Sequence, residues 1–384
     1  MSNTPNKTFP WKKILLMWLV WRLVLFLLAY LAPLVFSYQG SFVAPESLLN
    51  YGLPDWLARW ASFDGVHYLT IAKEGYKTVD LIQAFFPLYP LLIQGVDLVI
   101  NNALISALLV SNLASVVMLM VWYLVLSPHL GEKRTWLSMI LLLLFPSSFF
   151  LGAAYNEGLF IIFVLLTFYF FEKKQWPLAS LMIALASATR VVGIVLVPAT
   201  VLALFWQNKG KIDWRASLWL LVGSSGLIVY MLYLAKNFGD PFYFLTVQER
   251  FGGGRQDQLV LLPRVMWRYV KILVTARPID WRYLIYIEEL GISLFTLWYL
   301  IKAWLKAKVP LEWSIFAIGA YLMPTVTGTF SSMPRYVLVC LPVWLYIANR
   351  WPNYAKWQKL LYLTISGLLL IINSMLFIQG RWVA

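Results

Sequence analysis

The sequence predicts an all-α fold: a polytopic transmembrane helix bundle of about 11 spans, with juxtamembrane helices in a large first extracytoplasmic loop. Of the 384 residues, 61% are hydrophobic and only 12% are charged. Soluble domains contain about 45–50% apolar and about 25% charged residues, so the main solvent of this chain is lipid. The 20 tryptophans and 21 tyrosines agree with this prediction, because their amphipathic rings favour the headgroup zone of a bilayer.

Apolar stretches separated by short polar segments define the predicted spans, because a helix needs about 20 apolar residues to cross a bilayer. These stretches lie at 14–36, 103–126, 137–154, 158–171, 177–206, 216–236, 286–304, 312–331, 335–349 and 359–378. The stretch 177–206 is too long for one ordinary span, and Arg190 and Gly193 near its middle predict a hairpin of two short helices. The stretch 14–36 is too long for a signal-peptide core and lacks a small-residue cleavage site, so we expect an uncleaved first span.

The positions of lysine and arginine predict that the N-terminus lies in the cytoplasm. Six short cytoplasmic segments would then carry 16 basic residues and three acids, Glu132, Glu172 and Asp213. The basic residues are Lys7, Lys12, Lys13, Lys133, Arg134, Lys173, Lys174, Lys209, Lys211, Arg215, Lys302, Lys306, Lys308, Arg350, Lys356 and Lys359. The assignment requires the proline-containing stretch 85–100 to form a helix lying partly in the interface. Crossing by this stretch is the weaker alternative, because it would move the next two basic loops outside.

Two long segments then face the extracytoplasmic side. The first covers residues 37–102 and the second covers residues 237–285. Loops of this length are uncommon in compact domains unless they serve a function. The rest of the chain has no internal repeat and forms a single membrane domain.

The first of these loops contains candidate proton-handling groups within residues 55–74, which predict a short amphipathic helix on the membrane surface. On such a helix Asp64, His67 and Tyr68 share a face, and Trp60 lies one turn before Asp64. Ionisable groups beside aromatic rings suit a sugar-binding site. The alternative is an interfacial helix with snorkelling charges and an aromatic belt, which is common among membrane proteins.

Three further ionisable residues lie next to or within apolar stretches: Glu157, Arg190 and Arg335. Ionisable groups at membrane depth are costly, so they face a cavity or a partner. Glu157 and Arg190 could pair only to hold helices together, or both could line a site. The predicted topology brings all three residues toward the same face as Asp64, which favours a site.

The second loop contains three glycines at 252–254 and a predicted surface helix. Arg264, Arg268 and Lys271 fall on one face of that helix. Such a stripe can bind lipid phosphates, although general attraction to anionic headgroups explains it better. The glycines do not match a phosphate-binding fingerprint, which requires a flanking strand and helix.

Other function classes are poorly supported by the sequence. His67 and His129 are the only histidines and are predicted on opposite faces, which argues against a histidine metal site or a catalytic triad. The net charge of +14 is not concentrated in a basic block, so we expect anionic lipid or ligand and no nucleic acid. The single cysteine, Cys340, excludes an intrachain disulfide. The sequence identifies no cofactor, and a carboxylate-bound divalent cation near Asp64 stays open.

Six segments, taken in order, resemble PIG-V-like mannosyltransferases, which are membrane glycosyltransferases of the GT-C type. The segments are FDGVHYLTIAKEGY at 63–76, FFPLYPLL at 85–92, FPSSFFLGAAYNEGLF at 145–160, ASATRVVGIVLVP at 186–198, GDPFYF at 239–244 and MPRYVLVCLPVW at 333–344. They extend over most of the chain. Phe63 stands where the family more often has Trp or another aromatic residue, and Asn156 stands where a small hydroxyl residue is commoner.

The resemblance implies that residues 1–384 form one membrane glycosyltransferase domain whose donor is a polyprenyl-phosphate sugar, typically mannose. Asp64 matches the acidic residue of the family's first outer loop. We therefore hypothesise that Asp64 is the general base, accepting the proton of an acceptor hydroxyl as that hydroxyl attacks the anomeric carbon with inversion. Arg190 and Arg335 would stabilise the departing phosphate. Spans within 137–206 would form a groove for the polyprenyl tail.

The expected substrate-binding residues are His67, Glu157, Arg190, Arg335, Asp240, Trp60 and Tyr68. His67 and Glu157 would orient acceptor hydroxyls or a metal ion, and Asp240 lies in the Gly-Asp-Pro segment of the resemblance. The acceptor could be a lipid, a glycan or a protein. Short loops without added domains favour a bacterial plasma membrane, with the active site on the extracytoplasmic face.

Two other functions agree with the same hydropathy profile. A flippase or transporter for lipid-linked sugars would need charged residues through the midplane and a path open to both faces. A GT-C transferase for a different sugar would share all the features described above. A purely structural membrane subunit would tolerate the loss of Asp64.

Overall fold

The computed structural model of the protein describes residues 9–248, 250, 259–276, 281–307 and 309–383. Lys7, Lys308 and the glycines at 252–254, which entered the sequence predictions, lie outside the described residues. Every regular element in the described ranges is helical, so the all-α prediction is confirmed.

The α-helices follow one another along the chain, and each is named here by its order. They are α1 (Trp11–Val35), α2 (Asp55–Ala58), α3 (Asp64–Glu74), α4 (Leu88–Ile100), α5 (Ala103–Leu130), α6 (Glu132–Leu143), α7 (Glu157–Glu172), α8 (Trp176–Thr189), α9 (Leu196–Gln207), α10 (Trp214–Val222), α11 (Ser225–Phe238), α12 (Tyr243–Thr246), α13 (Leu262–Thr275), α14 (Trp281–Lys306), α15 (Leu311–Thr325), α16 (Met333–Tyr336), α17 (Leu341–Arg350) and α18 (Lys356–Ile378). Short 3-10 helices lie at Pro45–Tyr51, Arg59–Ala61, Ile82–Ala84, Ser148–Leu151, Val191–Val195, Val337–Val339 and Trp351–Asn353.

Four helices in the described ranges are long and apolar enough to cross a membrane, namely α1, α5, α14 and α18. The pair α10 and α11 adds a fifth span if it is counted as one helix bent by 42°. The expected number of about 11 spans is not confirmed, because the other apolar stretches form shorter helices, such as α7 with 16 residues and α17 with 10. A helix of this length does not reach across about 30 Å at 1.5 Å per residue. Broken helices are tolerated at membrane depth where neighbouring helices bury their backbone.

The long apolar stretch 177–206 is interrupted where the sequence predicts a break. Helix α8 ends at Thr189, Arg190 is extended with φ −151° and ψ 142°, and a 3-10 helix leads into α9. Gly193 makes the turn feasible, because a Cβ atom at this position would lie 2.4 Å from the carbonyl carbon of Ala186. The chain can therefore fold back onto α8 only with glycine here.

Residues 85–100 form α4, which follows Pro87 and has only 13 residues. It packs against α3 and α5, and it leaves Leu98 and Val99 each 80% exposed. Its length agrees with a helix that does not cross the bilayer by itself.

The continuous helix predicted over residues 55–74 is wrong. Helix α2 and the 3-10 turn after it end before Phe63, whose φ of 59° and ψ of −119° are incompatible with a helix. A bulky residue with positive φ is a strained conformation that the surrounding packing must hold. Phe63 is held between Phe42, Phe377 and Trp382, and α3 restarts at Asp64. Trp60 and Asp64 consequently do not share a helix face.

Helix α7 lies at the centre of the bundle and positions the site. It packs between α5 and α8, and most of its side chains are buried. Its first residue is Glu157, and the preceding segment is joined to the first loop by two hydrogen bonds. Ala154 N donates to Trp60 O at 2.9 Å, and Tyr155 Oη donates to Ser62 O at 2.9 Å. These bonds fix the start of α3 against the start of α7.

Candidate active site

Four charged side chains from four separate segments form one ion network. Arg335 Nη1 lies 2.5 Å from Asp64 Oδ2, and Arg335 Nε lies 3.2 Å from Glu157 Oε1. Arg190 Nη1 also lies 2.9 Å from Glu157 Oε1. One carboxylate oxygen of Glu157 therefore holds both guanidinium groups, and Arg335 joins the two carboxylates.

Local structure explains why these four side chains converge. Asp64 and Glu157 are the first residues of α3 and α7, where the helix dipole favours a negative charge. Arg190 lies in the extended segment after α8, so the direction of its side chain is not set by a helix. Arg335 lies in the short α16, which begins after Ser332 with φ 67°.

A cavity of about 500 Å³ adjoins this network. Asp64, Arg190 and Arg335 line it, together with His67 and Tyr68. Glu157 lies behind this wall, in a smaller void that it shares with the two arginines. The side chain of Asp64 is 17% exposed and that of Glu157 only 3%, so Asp64 is the carboxylate that a bound substrate can reach.

A large part of the cavity wall is apolar. Its apolar lining residues include Phe85, Phe86, Val191, Val192, Phe244, Leu245, Met323, Pro324 and Val326. Phe85 stacks on His67 with ring centroids 5.0 Å apart, so this apolar wall begins one turn after Asp64. A ligand that carries both an anionic group and a hydrocarbon chain fits this combination of surfaces.

His67 and Tyr68 are neutral groups in this cavity at neutral pH. Burial lowers the pKa of His67 below its ordinary value of 6.5, and the charge of Asp64 opposes that shift only in part. Burial also raises the pKa of Tyr68 well above its ordinary value. The imidazole and the phenol can therefore orient hydroxyl groups through hydrogen bonds without adding charge to the ion network.

Three of the predicted substrate-binding residues, Glu157, Trp60 and Asp240, do not line the cavity. Trp60 is fully buried against Phe26 and Phe377, and the guanidinium of Arg22 lies 4.4 Å from its ring centroid. The carboxylate of Asp240 instead stabilises the turn that leads into α12, because it accepts hydrogen bonds from Phe242 N at 2.8 Å and from Thr246 Oγ1 at 3.0 Å.

Sequence reasoning missed several lining residues. Phe42 and Trp382 form an aromatic part of the wall together with Phe63, and neither Phe42 nor Trp382 lies in a motif of the sequence. Asn156 Oδ1 and Ser332 Oγ are buried at the cavity without a hydrogen-bond partner among the described residues. The only signal for Asn156 was its place beside Glu157.

The described part of the chain contains no group of three His, Cys, Asp or Glu side chains that could hold a metal ion. The guanidinium of Arg335 lies between the carboxylates of Asp64 and Glu157. The positive charge at this point is supplied by the protein itself.

The comparisons with known proteins agree with this architecture. A family model described as dolichyl-phosphate-mannose-protein mannosyltransferase matches residues 85–234, a segment that contains Glu157 and Arg190 but neither Asp64 nor Arg335. Among solved structures, the crystal structure of ArnT from Cupriavidus metallidurans bound to undecaprenyl phosphate superposes with a TM-score of 0.51. The match covers 95% of this chain and 76% of that chain, at 10% sequence identity.

The chain has the ArnT-like GT-C fold. The apolar helices and this fold together identify an integral membrane protein. No curated protein sequence matches the chain. Membership of the PIG-V-like subfamily stays a prediction.

Proposed function

We propose that this protein is a GT-C glycosyltransferase that moves a sugar, with mannose as the first candidate, from a polyprenyl-phosphate donor to an acceptor hydroxyl. The observation that carries the proposal is the shared wall of one cavity, where Asp64 lies beside two arginines and a broad apolar surface. The reaction would take place on the extracytoplasmic face of the membrane.

The donor phosphate would bind at Arg190 and Arg335, and its hydrocarbon chain would lie along the apolar wall. The description of the matching family model includes a dolichyl-phosphate-mannose donor, and ArnT was solved with undecaprenyl phosphate. Both ligands are polyprenyl phosphates, which supports this class of donor here.

The charges of the network suit a phosphate that becomes more negative during the reaction. Asp64 and Glu157 formally balance Arg190 and Arg335, and Glu157 keeps both guanidinium groups near one point. Cations positioned before the reaction stabilise the charge that develops on the leaving group without further reorganisation. Glu157 is therefore a positioning residue in this proposal.

Asp64 would accept the proton of the attacking hydroxyl. The acceptor oxygen forms a bond to the anomeric carbon, the bond from that carbon to the phosphate oxygen breaks, and its electron pair leaves with the phosphate. The hydroxyl proton passes to Asp64, and a single displacement inverts the anomeric centre. General-base assistance of this kind contributes typically 10²–10⁴-fold. The incoming phosphate competes with Asp64 for Arg335, which makes the Asp64 carboxylate available to the acceptor.

A transporter of lipid-linked sugars is the second candidate, because buried ionisable residues also occur within spanning helices. Arg22 lies within α1, and Glu288 and Glu289 lie within α14. However, Asn373 donates a hydrogen bond to Glu288, and Tyr269 donates one to Glu289. None of these three ionisable residues lines the cavity, which favours structural roles for them.

The test is sugar transfer by purified protein in lipid, with polyprenyl-phosphate-mannose and a mixed acceptor pool. Asp64→Asn is compared with wild type, and Asp55→Asn serves as the matched control because Asp55 is exposed and pairs with Arg59 outside the cavity. We expect transfer by wild type and by the control, and a loss of at least about 10²-fold in Asp64→Asn. Full activity of Asp64→Asn would assign the base elsewhere. A wild type inactive with several lipid-linked sugars would favour the transporter.

A further inference from the structure

We propose that the acceptor is a saccharide and that its sugar ring stacks on Trp382 and Phe42 in the wall of the cavity. This acceptor subsite, defined by Phe42, Phe63 and Trp382, rests on the proposed glycosyl transfer and adds a substrate class to it. It would hold a hydroxyl of the sugar toward Asp64.

The three rings form a continuous path to the general base. The ring centroids of Phe42 and Phe63 are 4.7 Å apart, and those of Phe63 and Trp382 are 5.2 Å apart. Phe63 directly precedes Asp64 and is buried, whereas Phe42 and Trp382 are partly exposed and line the cavity. A ring stacked on the two partly exposed side chains therefore lies close to the Asp64 carboxylate.

The position of Trp382 is fixed by the C-terminal segment, residues 379–383, which is bound to the first loop. Gln39 N donates to Gln379 O at 3.0 Å, and Ser41 N donates to Gly380 O at 2.8 Å. The next residue after Trp382, Val383, is only 2% exposed. Trp382 is thus part of a built wall that joins the C-terminal segment to the first loop.

The chemistry of this wall suits a sugar ring. The faces of aromatic rings carry a negative quadrupole, which attracts the weakly positive C–H groups on the apolar face of a sugar. Ser41 and Ser331 line the same cavity and can exchange hydrogen bonds with sugar hydroxyls. Binding sites that combine apolar rings with a few polar groups are typical for small polar ligands.

Another part of the cavity wall suits the donor's hydrocarbon chain. Phe86 and Phe244, whose ring centroids are 5.4 Å apart, pack in a cluster with residues of α11. Helix α11 exposes Val229 and Leu232, with 65% and 64% of each residue accessible, as expected of a lipid-facing helix. Phe42, Phe63 and Trp382 pack in the main core cluster and not in this one, so we expect the two substrates to occupy different parts of the cavity wall.

The experiment measures initial rates with polyprenyl-phosphate-mannose and a panel of short oligosaccharides of mannose, glucose and galactose. Trp382→Ala is expected to raise the acceptor KM at least about tenfold, equivalent to about 1.4 kcal/mol, with donor KM within about twofold. Trp382→Phe keeps a ring against Phe63 and should show a smaller increase. Trp298→Ala, which removes a 57% exposed ring of α14, serves as the control and should leave both constants unchanged.

A second measurement separates this inference from the proposed function. Calorimetric binding of the same oligosaccharides to donor-free protein should be detectable in wild type and lost in Trp382→Ala. If wild type binds saccharides in this Trp382-dependent way but transfers no sugar, the subsite is upheld and glycosyl transfer is refuted. An unchanged acceptor KM in Trp382→Ala refutes the subsite, and so does transfer to hydroxyl-bearing peptides or lipids but to no saccharide.

Discussion

Arg335 Nη1 lies 2.5 Å from Asp64 Oδ2, although 271 residues separate the two along the chain. The same guanidinium reaches Glu157 through Nε at 3.2 Å. A lysine ammonium in its place is a compact charge on a flexible stem, whereas a guanidinium is a rigid planar fork that can meet two acceptors at once. Arg335 thus neutralises two carboxylates and presents the same group to a phosphate in the cavity.

Removing Arg335 takes away the cation that Asp64 and Glu157 share. Arg335→Gln is expected to cost about 3–5 kcal/mol of stability, since breaking a buried pair leaves its charge uncompensated. The double variant Arg335→Gln with Glu157→Gln removes one of the two carboxylates and should regain part of the thermal stability without regaining transfer. Equal thermal stability of the single and double variants would contradict the network described here.

Arg335→Lys keeps the positive charge and tests whether the planar guanidinium, with its several donors, is required. We expect most of the thermal stability to be retained, because the net charge of the network is unchanged. Transfer should fall at least about tenfold, because one ammonium cannot hold Asp64, Glu157 and a phosphate in fixed positions. Wild-type activity in this variant, measured under the same conditions, would show that only the charge matters.

Glu157→Gln should separate positioning from chemistry. The amide oxygen can still accept a hydrogen bond, but it holds the two guanidinium groups less firmly than a carboxylate does. We expect the donor KM to rise about tenfold or more with a smaller change in kcat, whereas Asp64→Asn should act mainly on kcat. Steady-state kinetics with varied donor resolve the two patterns, and a mainly kcat effect of Glu157→Gln would identify it as a participant in proton transfer.

The lowered pKa of His67 predicts how the thermal stability of the protein changes on acidification. Because burial holds its pKa in the folded protein below 6.5, the imidazole stays neutral at pH 7 and becomes charged only as the pH falls through that lowered value. Above about pH 6.5 the imidazole is neutral in both the folded and the unfolded state. On acidification the unfolded state binds the proton more readily, so the free energy of unfolding decreases. Thermal stability of wild type should fall more steeply below pH 6.5 than that of His67→Gln. Parallel profiles for the two proteins would exclude this assignment.

Gly193→Ala should displace Arg190. The added Cβ would lie 2.4 Å from the carbonyl carbon of Ala186, so the backbone after α8 has to shift. Overpacking of this kind costs typically about 1–3 kcal/mol, and transfer should fall with it. Gly291→Ala in α14 is the control, because its added Cβ meets no atom within 4 Å. Thermal unfolding and transfer rates of both variants provide the comparison.

The sequence predicted the parts of the site that carry a local signal. Glu157, Arg190 and Arg335 were recognisable because an ionisable residue beside or within an apolar stretch needs a partner or a cavity. The break at Arg190 was visible from the length of the stretch and from Gly193. Asp64 followed from its place in the aromatic-rich first loop and from the family resemblance.

Other parts depend on long-range packing and had no such signal. Phe63 adopts a positive φ because rings from the first loop and from the C-terminal segment hold it, and nothing in residues 55–74 indicates this conformation. The sequence does not indicate how deeply Asp64 and Glu157 are buried, and only the fold places Glu157 behind the arginines. The number of spans was not resolved because hydropathy records the apolar length of a stretch and not the helix breaks that neighbouring segments stabilise.

The hydrogen bonds between the C-terminal segment, residues 379–383, and the first loop have a consequence for biosynthesis. Ser41 and Gly380, which are hydrogen-bonded through backbone and side chain, are 339 positions apart in sequence. At about 5–20 residues per second, the ribosome needs roughly 20–70 s to make the chain between them. During that interval the first loop has left the ribosome, but the cavity wall still lacks Trp382. A nascent chain is therefore unable to offer a finished cavity to the lipids around it, and the candidate site is complete only after α18 has been inserted.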